Sequence, residues 1–207
     1  MKRRSTSSDS AGARQRRLQV AAEAARLLAE QGGDPVVARR KAAERLGFRD
    51  PASLPSGDEI REALAAHRRL FAAGGDEPRL RQQREAALAA MDFFAEFSPR
   101  LAGAVLDGSA DARSAIELHL HADDPDAVAR KLIERAIPAV QRPRRLRLER
   151  GPAREFAAWH FEADGLPFEL VVLPRQAERQ GPLDPLDDAP MARANRGALA
   201  RLLAGQP

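Results

Sequence analysis

The chain has 207 residues, no cysteine, and 34 Lys and Arg against 30 Asp and Glu. That length can bury a real core in one good-sized domain or two small ones, and the missing cysteines exclude a disulfide framework or a Cys-based zinc site. No apolar run approaches the ~18 residues of a membrane span and no signal-peptide core follows the basic N-terminus, so a soluble cytoplasmic protein is expected.

Charge is unevenly placed. Residues 1–17 hold Lys2, Arg3, Arg4, Arg14, Arg16 and Arg17 against Asp9 alone, while the whole chain is +4. The remainder sums close to neutral and presents no strong case for a nucleic-acid surface. Residues 1–17 lack apolar periodicity and are predicted to form a disordered basic tail. Such a tail offers weak, nonspecific attraction to nucleic acid. Arginine outnumbers lysine 31 to 3, which speaks of a GC-rich genome more than of a function.

Helical patterns run from residue 18 to 98. Val20, Ala24, Leu27 and Leu28 form one apolar stripe, ended by Gly32 and Gly33. A second helix is predicted from Asp34 to Leu46, stopped by Gly47. Ser56 and Glu59 form a capping box. The helix it starts carries Ile60, Leu64, His67 and Phe71 on one face, where His67 reads as a core or interface histidine. A fourth helix, from about Glu77, presents Leu80, Leu88, Met91 and Phe94 and stops before Pro99.

The period then changes, and residues 99–207 read as an α/β region. Leu101 to Leu106 is expected as a strand, and Ala115 to His121 is a clearer one. Its residues Ile116, Leu118 and Leu120 point one way, and Glu117, His119 and His121 the other. Asp123-Asp124-Pro125 opens a helix with acid at its N-terminus and Val128, Leu132 and Ala136 as its buried stripe. Arg145 to Glu149 reads as a short strand. Phe156 to Glu162 and Leu166 to Leu173 flank Asp164-Gly165, a strong hairpin signal. A two-residue turn there sets His160 opposite Glu169. Residues 174–190 hold four prolines and read as an extended surface loop, followed by a helix over Met191 to Leu203. The sum is an α+β fold: N-terminal helices, then a mixed, mostly antiparallel sheet with helices.

Gly108-Ser109, followed by Ser114-Ala115-Ile116-Glu117-Leu118, resembles the G-S…S-D-I-D-L signature of polymerase-β-type nucleotidyltransferases over roughly residues 99–173. In that family Gly-Ser closes one strand and grips the triphosphate, two Asp residues on the next strand hold divalent metal, and a later strand adds a third carboxylate. The resemblance therefore implies nucleotide contacts at Gly108 and Ser109. It implies catalytic carboxylates at Glu117 and Glu169, and a divalent metal (Mg or Mn) among Glu117, His119 and Glu169. Ala115 stands at the first Asp position and cannot ligate. Imidazole also suits zinc, nickel or copper better than magnesium.

Plainer alternatives stand beside each assignment. The polar face of the strand over 115–121 could be a solvated sheet face, Glu169 could pair with His160 across the hairpin, and Asp107-Gly108-Ser109 is also an ordinary turn. The Arg142-Pro143-Arg144-Arg145 cluster, with Arg147, suits a phosphate or a solvated edge that blocks strand pairing.

The wider chain resembles a proteobacterial family that often carries the label UDP-N-acetylmuramate–alanine ligase, through AAEAARLLAEQGGDPVVARRKAAERLG and LPSGDEIREALAAHRRLF. That ligase needs a G-x-x-G-K-[ST] phosphate loop, and this chain has no Gly-Lys pair. Two functions remain: a divergent nucleotidyltransferase-like protein that binds nucleotide and divalent metal, and a non-catalytic binding or regulatory module on the same fold.

Overall fold

The computed structural model describes residues 5–31, 34–71, 76–186 and 188–205. The chain forms two compact units, residues 1–73 with 185–187, and residues 74–184 with 188–207.

The first unit is helical: α1 (Ser5–Gln31), α2 (Pro35–Arg45) and α3 (Gly57–Phe71). Val20, Ala24, Leu27 and Leu28 of α1 meet Ala38 and Ala42 of α2 and Ile60 of α3, with Leu186 packed at the side. The capping box forms as its sequence dictates. The Ser56 N–H donates to Glu59 Oε2 at 2.9 Å, and the Glu59 N–H donates to Ser56 Oγ at 3.2 Å. Asp34 caps α2, Pro35 fills its first position, and Gly47 ends the turn at φ +73°. His67 is half-buried. Gly32 and Gly33 and the Phe71 side chain lie outside the described residues.

Residues 5–17, expected to be disordered, are helical as the start of α1. The reason is tertiary. Arg16 Nε donates to the buried Ser53 Oγ at 2.9 Å, and Arg17 Nε lies 3.2 Å from Glu59 Oε1. Residues 1–4 of the tail lie outside the described residues.

The second unit contains α4 (Asp76–Phe93), β1 (Arg100–Ala102), α5 (Gly103–Asp107), β2 (Ile116–His121), α6 (Asp126–Glu134), β3 (Val140–Gln141), β4 (Arg144–Leu146), β5 (Arg154–Phe156), β6 (Ala158–Ala163), β7 (Leu166–Leu173), β8 (Arg193–Ala194) and α7 (Arg196–Leu203). The break between units falls before α4, while the change from helix to strand comes at Arg100. The helix belongs with the sheet because Ala87 and Met91 on its face, and Phe94 just beyond its end, enter the sheet's core.

Six strands form one mixed sheet in the order β3-β6-β7-β2-β1-β8. Only β2 and β7 run parallel; every other neighbouring pair is antiparallel. Asp164 and Gly165 at the β6–β7 turn both take positive φ, 52° and 73°, as a type I′ hairpin requires. The turn delivers the expected register, His160 opposite Glu169 and Trp159 opposite Leu170.

Both faces of this sheet are covered. On one, Ile116, Leu118 and Leu120 of β2 and Phe168, Leu170 and Val172 of β7 pack with α4, α6 and α7. On the other lies a separate two-stranded ribbon, β4 with β5, and a 3₁₀ turn over Arg175–Glu178. Leu146 and Ala177 from these elements cover Ala158, Val171 and Leu173. The loop after Pro174 is less exposed than its prolines suggested. Residues 181–184 are buried, and the Leu183 N–H donates to the Arg147 carbonyl at 2.6 Å. Three expected strands also differ, and one of them, Arg145–Glu149, is strand only from Arg144 to Leu146. Leu101–Leu106 is strand only through Ala102 and then turns into α5, and Phe156–Glu162 is broken between β5 and β6.

Candidate functional site

Alternation along β2 and β7 puts Glu117, His119, His121 and Glu169 on the face beneath the β4–β5 ribbon. Parallel pairing sets Glu117 directly beside Glu169. Ala115 immediately precedes β2 and by the same alternation shares that face. The face is not solvated. His119 is 0% exposed, His121 2% and Glu169 7%, and the Glu117 side chain keeps 12%. Burying carboxylates costs free energy unless each is paired and hydrogen-bonded, so their partners decide what the site can do.

Each carboxylate has a partner from the chain itself. His119 Nε2 lies 2.9 Å from Glu117 Oε1. With Glu117 ionised the proton between them sits on Nε2, which donates. Nδ1 is buried with no hydrogen-bond partner among the described residues. Arg144 Nη1 donates to both oxygens of Glu169, at 3.0 and 3.1 Å. His160 Nε2 is further off, 3.9 Å from Glu169 Oε1. The cross-strand histidine is therefore present, but the arginine of the covering ribbon is the main counter-charge.

The two carboxyls are pushed in opposite directions. Burial alone would raise Glu117, but the His119 hydrogen bond and the Arg144 charge outweigh it and hold the carboxyl below its ordinary value. Burial also raises Glu169. Arg144 opposes that shift, the neighbouring Glu117 charge adds to it, and the net position is above ordinary. Environments that split a carboxyl pair are a feature of acid–base sites. Here, though, both groups lie under a covering layer, and three surface clefts among the described residues are lined by other side chains.

The donor set does not fit a divalent metal. Among the described residues no group of three or more His, Asp or Glu side chains converges to hold one. Glu169 is turned to Arg144, and His119 spends its ring nitrogen on Glu117 instead of facing a common point. A metal there would have to displace the guanidinium and break the His119–Glu117 bond.

Gly108 and Ser109 stand at the far end of α5 from Gly103. Gly108, at φ +80°, ends α5 in the left-handed conformation, and the Ser109 N–H donates to Asp107 Oδ1 at 2.8 Å. Around them Arg84 of α4 caps the helix end, donating to the Val105 and Leu106 carbonyls at 3.0 and 3.1 Å. A helix C-terminus carries the negative end of the dipole and is a poor place for a triphosphate. The glycine that does meet Glu117 is Gly103, where β1 passes into α5. A Cβ on Gly103 would lie 2.9 Å from Glu117 Oε2, and its φ is +69°. Its signal in the sequence is the run Ala102-Gly103-Ala104 after a short apolar strand, with no side chain large enough to obstruct a neighbour.

Next to this pair sits a second polar cluster, built on His121, whose arginine partner patterning did not single out. His121 Nδ1–H donates to the Ser98 carbonyl at 2.8 Å, and its Nε2 accepts from Arg193 Nη1 at 3.1 Å. Arg193 also donates to the Ala177 and Glu178 carbonyls, tying β8 to the 3₁₀ turn. Accepting from Arg193 requires the neutral ring, and burial lowers the His121 pKa accordingly, with Arg193 adding in the same direction and the Ser98 bond opposing it. Arg100, opposite His119 on β1, closes the layer through Glu178 at 3.0 Å.

No protein-family model, no curated protein and no solved structure matches this chain.

Proposed function

We infer that this chain is a degenerate, non-catalytic protein of the nucleotidyltransferase type, kept as a binding module. The juxtaposition of Glu117 and Glu169 on adjacent strands, with Gly103 against Glu117 at the mouth of a short helix, supports the kinship. The observation that carries the non-catalytic reading is Arg144 on Glu169. Two-metal phosphoryl chemistry needs open carboxylates converging on cations. Here a guanidinium pairs with Glu169 and an imidazole hydrogen-bonds Glu117 from within, and Ala115 supplies no ligand.

An active enzyme is the second reading, favoured by the opposite displacement of the two carboxyl pKa values. The discriminating experiment is incubation of the full chain with each labelled nucleoside triphosphate and Mg²⁺ or Mn²⁺, scored for nucleotide transfer and by isothermal titration. The non-catalytic reading expects no transfer. Turnover near ~1 s⁻¹, within the ordinary enzyme range, would overturn it. The ligase label has no support in either reading, since the chain lacks that enzyme's phosphate loop.

A further inference from the structure

The near-neutral charge of the folded residues hides a strong local excess. Between residues 142 and 155 stand six arginines (142, 144, 145, 147, 150 and 154) against Glu149 and Glu155, an excess of four and equal to the net charge of the whole chain. This is the β4–β5 ribbon with its flanks. Three of the six are engaged elsewhere: Arg144 with Glu169, Arg147 with Asp188, and Arg154 loosely with Glu149 at 3.5 Å. Arg142, Arg145 and Arg150 are exposed, and their side chains make no hydrogen bond or ion pair among the described residues.

A cleft of about 340 Å³ opens beside the same ribbon, between its turn and the 3₁₀ turn of Arg175–Glu178. Leu148 and Pro152 give it apolar walls, Arg154 sits at its side with the Glu149 carboxylate it offsets, and Gln176 and Gln180 line it with amide groups. Both glutamines are exposed and have no side-chain hydrogen bond among the described residues. Primary amides present a donor and an acceptor together, which is the pairing that base edges offer.

From this juxtaposition we propose that the ribbon and its cleft bind single-stranded nucleic acid. Arg142, Arg145 and Arg150 meet phosphates of the strand, and one unstacked base enters the cleft between Leu148 and Pro152 to face Gln176 and Gln180. A duplex hides its base edges from so narrow a cleft, whereas a single strand can turn a base out. An anionic membrane fits less well, because residues 142–155 expose no large apolar side chain to enter a bilayer. The proposal does not depend on the Glu117–Glu169 pair.

The test is fluorescence anisotropy of labelled oligo(U) and oligo(dT) with the full chain, between ~50 and ~200 mM salt, against a duplex and phosphatidylglycerol vesicles. Binding to one or both single strands is expected, and the two arms tell RNA from DNA. Replacing Arg142, Arg145 and Arg150 together by Ser should weaken binding at least ~10-fold at low salt and flatten the log–log salt slope by about 2, near 0.7 per phosphate lost. Gln176→Ala with Gln180→Ala should cost up to ~10-fold with the slope unchanged, because amides release no counterions. All five positions are exposed, and unchanged circular dichroism would confirm the fold. The proposal is overturned by the absence of binding at ~50 mM salt. It also fails if the arginine variant binds like wild type, or if the loss follows instead from replacing Lys2, Arg3 and Arg4 by Ser. Vesicles bound as tightly as oligonucleotide, with the glutamines without effect, would point to a lipid surface.

Discussion

Arg144 Nη1 reaches both oxygens of Glu169, and it does so from outside the main sheet. The carboxylate is buried, whereas the Arg144 side chain is 44% exposed. The pair therefore joins a surface ribbon to the middle of the sheet. Arg144→Ala should leave a buried carboxylate without its main counter-charge. A loss of about 1–3 kcal/mol is expected, below the ~3–5 of a fully buried pair because solvent already screens the guanidinium. Glu169→Gln should cost less, since it removes the charge that burial penalises. Urea unfolding of both variants checks the order; an Arg144→Ala loss smaller than that of Glu169→Gln would mean the ion pair does not hold the ribbon.

Gly103 should be far less replaceable than a glycine with open space around it. At Gly103 an alanine meets both a left-handed backbone and Glu117 Oε2; at Gly165, φ +73°, it meets the backbone problem alone. Gly165→Ala should cost about 1–2 kcal/mol and Gly103→Ala about 2–4, the difference being steric. Adding Glu117→Ala to Gly103→Ala should recover part of the steric loss, in a double-mutant cycle that reads the contact directly. Equal costs at the two glycines would remove the contact from the account.

The pH dependence follows from His121. Its folded pKa lies below the ordinary 6.5, so the unfolded chain binds this proton more readily. The stabilisation is complete above 6.5 and is lost as pH falls from there toward the folded value. Protonation removes the acceptor of Arg193 and sets two cations side by side. Thermal melts should show Tm falling as pH drops below 6.5, with a shallower fall in His121→Asn. Glu117, held low, adds its own loss nearer the carboxyl range, while Glu169, held high, works in the opposite sense there. An unchanged slope in His121→Asn would assign the acid sensitivity to other groups.

At the N-terminus, Arg16→Ala should lower Tm by a few degrees through loss of the bond to buried Ser53, on the scale of about 1 kcal/mol. Arg14→Ala, with no shared bond of that kind, is the control. Identical melting of the two variants would show that the start of α1 does not depend on its contact with Ser53.

What was legible in the sequence is what local chemistry decides. The capping box at Ser56, the start of α2 at Asp34-Pro35 and the Asp164-Gly165 register each depend on a few adjacent residues, and each formed as expected. What distant partners decide was not legible. The start of α1 leans on Ser53 and Glu59, 37 and 42 positions away. The five-residue α5 ends on carbonyls satisfied by Arg84, so Leu101–Leu106 looked like a strand. Alternation in β2 separated its two faces correctly, but it could not say that a second layer covers the polar one. For the same reason Arg144 read as a phosphate contact or a solvated edge instead of the counter-charge of Glu169.

Arg144 and His119 occupy the carboxylate oxygens that a divalent ion would need. Mn²⁺ titration followed by electron paramagnetic resonance tests this most directly, on wild type and on Ala115→Asp combined with Arg144→Met. Wild type should leave Mn²⁺ free up to ~1 mM, and the double variant, with a carboxylate added and the guanidinium removed, should bind it more tightly. Mn²⁺ held by the wild type at ~10 µM or below, and lost in Glu117→Gln or Glu169→Gln, would contradict the account, because the pair would then be an open metal site.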